Sequence, residues 1–206
     1  MRTDTIDTFL QSLAARVPAP GGGASAALHA AQAAALVEMV ARYSDSKKYA
    51  DNSAAITAIR DRAETYREVA LALAEQDVDV FSGVGAAYGL PRSTEKEKAA
   101  RSRAIAAALV EAGRVPASVI AVSEQVLGLA EQLRPIGNRN VISDIAAAAD
   151  AAGAAASTAR VNVEINLNGI TDATTRAELT EAIAGVDDLT ARADKVTAAV
   201  RELILR

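Results

Sequence analysis

An aspartate on an otherwise apolar helix face is the residue of this sequence that is best suited to chemistry. Steps of three and four residues join Ile56, Ile59, Ala63, Tyr66, Ala70, Leu73, Asp77, Val80 and Val84, which is the spacing of one face of an α-helix. Only Asp77 in this stripe is charged. A carboxylate that faces a core must be paired, hydrogen-bonded or held in a cleft, because burying it alone is costly. Two interpretations stay open: a structural carboxylate, which forms a salt bridge with an arginine or caps a neighbouring loop, or a carboxylate that works on a substrate.

Three consecutive glycines, Gly21, Gly22 and Gly23, follow Pro20 at the expected start of a helix. Glycine loses much conformational freedom on folding, so the run predicts a backbone shape or a close approach that a Cβ would block. The free N–H groups at a helix N-terminus favour anions. No strand precedes the run and no Walker Lys-Ser/Thr follows it, which disfavours a nucleotide-binding loop. A plain turn is the alternative interpretation.

Two further polar segments are candidates for binding. Lys47 and Lys48 lie between helices, where such a pair is usually only solvated. A second group lies beside an alanine-rich helix and suggests a hydrogen-bonded pocket, although helix capping would also explain Ser143 and Asp144. This second group comprises Asn138, Asn140, Ser143 and Asp144, with Asn162 and Asn166 one helical turn apart further on.

His29 is the only histidine, and the chain has no cysteine. A histidine within an apolar helix is expected to be a satisfied core or interface residue. One histidine without cysteine argues against a structural or catalytic zinc site. We therefore expect no metal.

The elements that must position these residues are all predicted to be helices. Apolar periodicity predicts a short helix from Ile6 that ends near Val17, a helix over 24–42 that is apolar nearly all round, and a long helix over 52–88. A helix without a polar face is usually buried. Further helices are predicted over 94–133, over 143–160 with a continuation to about 168, and after Asp172 to the C-terminus.

Local signals mark the ends of these helices. Thr94 and Glu97 have the spacing of a capping box. Pro116, close after Gly113, predicts a kink or a break in the helix that contains it. Ser143 is the expected N-cap of the following helix. The whole pattern predicts one all-α domain over 1–206, a multihelical bundle.

Composition narrows the class of protein. The 206 residues carry a net charge of −4, and only 3% are aromatic, so no basic patch with interleaved aromatics predicts binding to nucleic acid. The absence of cysteine excludes disulfides. The apolar runs are expected to fall short of a membrane span. The first residues, Met1 to Asp4, contain no signal-peptide core, so a cytoplasmic location is expected.

Several segments, taken in order, resemble the cyclodeaminase/cyclohydrolase family of one-carbon folate metabolism. That family includes stand-alone methenyltetrahydrofolate cyclohydrolases and the C-terminal domain of formiminotransferase-cyclodeaminase. The segments run through nearly the whole chain, and the Pro-x-Pro-Gly-Gly-Gly and Gly-Asn-x-Asn-x-x-Ser-Asp elements are distinctive together. They are FLQSLAARVPAPGGGASAA at 9–27, KKYAD at 47–51, DVDVFSGVGAAYGLP at 77–91, VP at 115–116, GNRNVISD at 137–144 and NVEINL at 162–167.

The resemblance implies a helical bundle with a buried central helix, a homodimer and a tetrahydrofolate substrate, including polyglutamylated forms. It also implies a set of site residues: Asp77 and Asp144 as catalytic candidates, with Pro20, Gly21, Gly22, Gly23, Lys47, Lys48, Asn138, Asn140 and Ser143 binding the substrate. Two positions depart from the family pattern. Asp45 and Ser46 precede only two lysines where the family often has Gly-Lys-Lys-Lys-Tyr, and His29 stands where a small residue is expected.

The implied chemistry passes through a tetrahedral carbon that bridges N5 and N10 of the folate, and it requires no metal or redox cofactor. Hydrolysis of 5,10-methenyltetrahydrofolate to 10-formyltetrahydrofolate is the main expectation, because no formiminotransferase domain is present to supply a deaminase. The alternative is a formiminotetrahydrofolate cyclodeaminase, which releases ammonia and forms 5,10-methenyltetrahydrofolate. An alternative of another class is a folate-binding or helical interaction protein without catalysis.

Overall fold

The helices lie where the apolar periodicity predicts them. A computed structural model describes residues 2–206, and within this range the regular elements are all helical, which confirms the predicted all-α fold. In chain order the α-helices are α1 (Ile6–Ala14), α2 (Gly22–Arg42), α3 (Ser53–Tyr88), α4 (Glu95–Leu133), α5 (Ser143–Leu167), α6 (Ala173–Ala184) and α7 (Val186–Ile204). Two 3₁₀ helices, Lys47–Asn52 and Arg139–Val141, precede α3 and α5.

Helix α2 is the centre of the bundle. It packs against α3, α4 and α5, and most of its alanines are fully buried. Small side chains let neighbouring helix axes approach closely, because the distance between packed helices depends on the side chains at the contact. The predicted buried central helix is confirmed, and α5 also contributes a long buried side to the same core.

Two of the helices that pack on α2, α3 and α5, run antiparallel to it. On α3, Arg67 contacts Glu38 of α2, and Asp77 lies further along beside Gly23. On the other side, Asn138 just before α5 contacts Ser44, which follows the end of α2. The two ends of α2 are therefore flanked by different segments, and a 21-residue helix separates them by about 30 Å.

Helix α4 continues through Pro116, so a break there is wrong, while the kink that was the other possibility stays a prediction. Proline has no backbone N–H, and a proline inside a helix leaves the carbonyl four residues earlier without its usual partner. Here the side-chain Nδ2 of Asn166 donates to that carbonyl, the oxygen of Ala112, at 3.1 Å. A side chain from α5 thus stabilises the helix at the point where the sequence predicts its interruption.

Other helix ends differ from expectation in detail. The capping box of Thr94 and Glu97 is present. Ser143 is not the N-cap of α5, because that helix begins after Ile142 without a side-chain cap. The last predicted helix is two helices that meet at Gly185.

Helices α2 and α4 are long and apolar enough, by length and composition alone, to cross a membrane. The expectation that all apolar runs fall short of a span is therefore wrong on length. Most of the apolar stretch of α2 is nevertheless buried inside the bundle. A core helix of a soluble protein passes the same test, so this criterion does not distinguish a span from a core helix here.

Candidate active site

The carboxylate of Asp77 lies against the first turn of α2. A Cβ placed on Gly23 would lie 2.0 Å from Asp77 Oδ1 and 2.7 Å from Asp77 Oδ2. Any side chain at position 23 would displace the carboxylate, so this glycine supplies the close approach that the glycine run predicts. The two strongest features of the sequence, the aspartate and the glycine turn, are thus parts of one site.

Asp77 has no cationic partner in the part of the chain that the structure describes. Its hydrogen-bonding partner is the backbone N–H of Ala24. Burial raises the pKa of the Asp77 carboxyl, and the Ala24 N–H offsets this only in part, so the pKa is raised. Within residues 2–206 the salt-bridge form of the structural interpretation is therefore wrong, whereas a cap stays open, because Asp77 accepts from the backbone at the start of α2. A half-buried carboxyl with a raised pKa is suited to accepting and returning a proton.

Further polar groups surround Asp77 at the start of α2. Gly21 is the N-cap and offers no side-chain cap, so among the first N–H groups of the helix only that of Ala24 is engaged by Asp77, and those of Gly22 and Gly23 can donate to a ligand. Asn162 of α5 lies beside Gly22, with its Nδ2 3.6 Å from where a Cβ of Gly22 would be. The Asn162 Nδ2 donates to the carbonyl of Thr158 at 2.9 Å, which leaves the amide oxygen as an acceptor on this side. The site thus combines a carboxyl, backbone donors and an amide oxygen.

The other predicted binding residues lie at the opposite end of α2. Asn138 is engaged in structure: its N–H donates to Ser44 Oγ at 2.8 Å and its Nδ2 to the Tyr43 carbonyl at 2.8 Å. Its Oδ1 accepts from the N–H of Asn140 at 3.0 Å. These bonds hold the C-terminal end of α2 against the segment before α5. Asn138 therefore has a structural role at this end of α2.

The charged residues that the sequence predicts at this end of α2 are accessible to solvent. Lys47 and Lys48 are exposed on the first 3₁₀ helix, and the ammonium of Lys48 lies 5.5 Å from the centre of the Tyr49 ring. Asn140 and Ser143 are exposed, and Asp144 is half-buried. This end of α2 therefore presents two cations and a carboxylate to solvent.

The structure brings the predicted site residues together in two groups. Pro20 and Gly21 to Gly23 join Asp77 at the start of α2, and the lysines join the Asn138–Asp144 segment at its end. About 30 Å separates the groups. A single chain does not make the three predicted segments converge.

Two polar residues near α2 have partners that the sequence does not predict. The sequence groups Asn162 with Asn166, but its contact with Gly22 depends on the packing of α5. Glu38 is the only acidic residue of the apolar segment 24–42, a signal comparable to that of Asp77. It is 8% exposed and pairs with Arg42 and Arg67.

Within residues 2–206, no three His, Asp or Glu side chains gather closely enough to hold a metal ion. The expectation that no metal or cofactor is needed stays a prediction. His29 is not a satisfied core histidine, because its Nδ1 is buried and has no hydrogen-bond partner among the described residues; a role at an interface stays a prediction.

Comparisons with known proteins agree with this fold. The family model described as formiminotransferase-cyclodeaminase matches residues 5–185. The methenyltetrahydrofolate cyclohydrolase of Methylorubrum extorquens is 38% identical over 202 residues, which cover 98% of this chain and 96% of that protein. The formimidoyltransferase-cyclodeaminase of Rattus norvegicus is 29% identical over 169 residues, which cover 82% of this chain and 31% of the rat protein.

A solved structure also matches this chain along almost its whole length. The formiminotetrahydrofolate cyclodeaminase of Thermotoga maritima matches with a TM-score of 0.84 and 33% identity, covering 97% of this chain and 98% of that one. This chain therefore has the helical bundle fold of that cyclodeaminase. The chain belongs to the formiminotransferase-cyclodeaminase family. The resemblance found in the sequence and the expectation of an enzyme are confirmed.

Proposed function

We propose that this protein is a methenyltetrahydrofolate cyclohydrolase, which hydrolyses 5,10-methenyltetrahydrofolate to 10-formyltetrahydrofolate. The observation that carries the proposal is the Asp77 carboxyl, held against Gly23 without a cationic partner. The near full-length similarity to the Methylorubrum extorquens cyclohydrolase supports this reaction over others of the family.

In the proposed reaction, the oxygen of water attacks the methenyl carbon between N5 and N10, and Asp77 accepts a proton from that water. The tetrahedral carbon then carries one hydroxyl group. Asp77 returns its proton to N5 as the bond between N5 and the carbon breaks, and the hydroxyl proton leaves to solvent as the formyl C=O forms. One water is consumed and one proton is released, which balances the loss of the positive charge of the substrate.

Two properties of Asp77 fit this role. As a carboxylate it stabilises the cationic methenyl group electrostatically, and such stabilisation is stronger where water is partly excluded. Its raised pKa also brings it nearer to the operating pH, which makes proton acceptance and return more efficient. Asp144 is the second carboxyl that we consider for the proton transfer.

The second candidate is formiminotetrahydrofolate cyclodeaminase, favoured by the similarity to the Thermotoga maritima structure. In that reaction N10 attacks the formimino carbon carried by N5, and ammonia leaves after it receives a proton. The same tetrahedral carbon forms beside the same carboxyl, so Asp77 would serve as the acid that protonates the leaving amine. The geometry of a single carboxyl is compatible with both leaving groups.

A second copy of the chain would complete the site. The lysines and Asp144 lie about 30 Å from Asp77 along α2, too far to act on the same folate. If two copies pair their α2 helices in opposite directions about a two-fold axis, the start of one helix lies beside the end of the other. We therefore include a homodimer in the proposal, with Lys47 and Lys48 of one copy attracting the glutamate tail of a folate bound at Asp77 of the other.

The outer side of α2 supports this arrangement. A groove of about 650 Å³ separates α1 from α2 and is lined by apolar side chains such as Phe9, Leu13 and Leu28. No residue of α1 is buried in a single chain, and Ile6 is 81% exposed. His29 also lines this groove. An apolar groove beside a helix with no buried residue is suited to packing against a second copy of the chain.

The activity is tested by incubating the pure protein separately with 5,10-methenyltetrahydrofolate and with 5-formiminotetrahydrofolate. Loss of methenyl absorbance above the spontaneous rate, without ammonia from the formimino substrate, is the expected result. Ammonia release with little acceleration of methenyl hydrolysis would make the protein a cyclodeaminase. Binding without turnover of either substrate would favour the non-catalytic alternative.

The composite site is tested by mixing subunits of Asp77→Asn with subunits of Asp144→Asn. If each site takes Asp77 from one copy and Asp144 from the other, a mixed dimer regains one intact site. Two poorly active variants would then regain about a quarter of the wild-type activity after exchange of subunits, whereas sites within one chain would regain none. Full activity of Asp144→Asn alone would show that this carboxylate takes no part.

A further inference from the structure

Phe81 continues the buried face of α3 beyond the point where α2 can cover it. Ala70, Ala74, Asp77 and Phe81 follow one another at steps of four, three and four residues, which places them on one face of the helix. Ala70 and Ala74 on this face are fully buried. Phe81, in contrast, is 50% exposed.

The start of α2 explains this change of exposure. Asp77 lies level with Gly23, at the first turn of α2. Phe81 is one helical turn further along α3, about 6 Å beyond Asp77, and α2 has no residues there to cover it. The Phe81 ring therefore lies next to the Asp77 carboxyl, on the side that α2 does not cover.

The ring of Phe81 differs from three tyrosine rings of this protein. Tyr88 carries the guanidinium of Arg101 at 5.5 Å from its ring centre. Tyr49 and Tyr66 have similar cationic partners, Lys48 and Arg62. For Phe81, residues 2–206 supply neither a cation nor another ring. The face of this ring is free for a ligand.

We propose that Phe81 is the platform on which the pterin ring system of the substrate stacks. The inference rests on the proposed function and names a residue that positions the substrate for it. The pyrazine ring of a reduced folate is partly saturated, but its fused pyrimidine ring stays flat, and flat heterocycles stack on aromatic side chains with little requirement for hydrogen bonding. In a methenyl or formimino folate the reacting carbon is bonded to N5 of the pterin, so a pterin on Phe81 holds that carbon towards Asp77, one turn away.

The kinetic test compares Phe81→Leu with Phe81→Tyr, and uses Tyr88→Leu as the matched control. Tyr88 is a similarly exposed aromatic on the same helix, at 52%, but it lies two turns further from Asp77. Phe81→Leu is expected to raise KM about tenfold, within the range that loss of an aromatic stack produces, with a smaller change in kcat. Phe81→Tyr restores KM and Tyr88→Leu leaves it unchanged.

A binding test identifies which part of the substrate the ring holds. The probes are pterin-6-carboxylate and p-aminobenzoylglutamate, the two halves of a folate, titrated against wild type and Phe81→Leu. Pterin-6-carboxylate is expected to lose about tenfold in affinity, while p-aminobenzoylglutamate binds equally to both proteins. A urea midpoint equal to that of wild type shows that the variant is folded.

Three results would overturn the inference. Phe81→Leu with a normal KM would remove Phe81 from the site while leaving the cyclohydrolase proposal intact. A loss confined to p-aminobenzoylglutamate would assign the ring to the other half of the folate. A wild type that neither binds nor converts a folate would overturn the proposed function itself, and the platform with it.

Discussion

Two carboxylates lie at the contact between α2 and α3, and the protein compensates their burial in different ways. Glu38, on α2, accepts hydrogen bonds from Arg42 at 2.6 Å and from Arg67 of α3 at 3.1 Å. Asp77, on α3, contacts the first turn of α2 and has only a backbone N–H as its partner. One carboxylate lies between two guanidinium groups, and the other has no positive charge beside it within residues 2–206.

The difference is expressed in opposite pKa shifts. Burial alone raises the pKa of Glu38, but the hydrogen bonds and charges of Arg42 and Arg67 together outweigh it, so this pKa is lowered. Burial raises the pKa of Asp77, and a single N–H does not reverse it. Burial of a carboxylate is therefore not sufficient to indicate function. The missing counter-charge at an open helix end is what distinguishes Asp77 from Glu38.

The largest expected effect is the loss of turnover in Asp77→Asn. The amide keeps the shape and one acceptor, but it removes the charge and the proton-accepting oxygen. We expect kcat to fall about 10²–10⁴-fold, the span of general acid–base catalysis. The free energy of unfolding should stay equal or rise, because the substitution removes a carboxyl group that is costly to ionise in the folded protein. Stopped-flow turnover and urea unfolding of the same variant measure both. Near-normal kcat in a destabilised protein would make Asp77 structural and move the catalytic role to Asp144.

The second effect is the loss of stability in Glu38→Gln. Removing the charge leaves Arg42 and Arg67 close together without their anion. We expect the free energy of unfolding to fall by about 3 kcal/mol, the lower end for a broken buried pair, because both arginines still reach water. The turnover number should stay near that of wild type. Urea unfolding and steady-state assays measure the two quantities.

Glu64→Gln is the matched control for this prediction. Glu64 also faces Arg42, at 3.9 Å, but its side chain is 51% exposed. Its loss should change stability by less than about 0.5 kcal/mol, as for most surface substitutions. If Glu38→Gln and Glu64→Gln lost the same free energy of unfolding, the buried ion pairs of Glu38 would have no special importance for stability.

The sequence predicts much of this architecture and part of the site. The apolar stripe of α3 and the all-apolar α2 are local patterns, so the buried helices and the unusual position of Asp77 could be predicted from them. The partner of Asp77 could not, because Gly23 and Asp77 are 54 positions apart along the chain and only the antiparallel packing of α2 and α3 brings them together. The glycine run gave a reason to expect a close approach but no indication of what approaches.

The wrong predictions share a physical cause. A break at Pro116 is the correct local expectation, but Asn166 of another helix satisfies the freed carbonyl. The position of Ser143 favours a cap, yet the neighbouring Asn138 caps the preceding 3₁₀ turn instead. In both cases a residue that is distant in sequence, or a competing turn, overrides the local preference. The separation of the two groups of site residues along α2 depends on tertiary packing in the same way.

The third effect is the clash created by Gly23→Ala. The new Cβ would lie 2.0 Å from Asp77 Oδ1, so the carboxylate must move. We expect a loss of about 1–3 kcal/mol in stability, the usual cost of overpacking, and a fall in kcat of up to about 10²-fold from misplacement of the carboxyl. Urea unfolding and turnover measure both.

Two variants sharpen this third prediction. Gly128→Ala adds the same methyl group within α4, where a Cβ meets nothing within 4 Å, and it should be neutral or slightly stabilising. The double variant Gly23→Ala with Asp77→Ala should recover stability relative to Gly23→Ala alone, because the clashing carboxylate is absent and neighbouring substitutions are not additive. Additive losses would show that Gly23 and Asp77 are not in contact.

The smallest expected effect, and the most direct comparison of the two carboxylates, is the pH dependence of stability. The folded-state pKa of Glu38 is lowered from 4.5, so its stabilisation is complete above pH 4.5 and is lost as the pH falls through the folded-state pKa. The folded-state pKa of Asp77 is raised from 3.8. The folded protein then binds more protons than the unfolded chain above pH 3.8, and stability decreases as the pH rises from there through the folded-state pKa.

Unfolding free energies of wild type, Glu38→Gln and Asp77→Asn should therefore be measured between pH 3 and pH 7, a range of about 4 units that spans both ordinary carboxyl pKa values. The advantage of wild type over Glu38→Gln should shrink towards acid, whereas any advantage of Asp77→Asn over wild type should appear only as the pH rises. Parallel curves for the two variants would mean that the carboxylates are equivalent, and the distinction between a structural and a catalytic carboxyl would then have to rest on turnover alone.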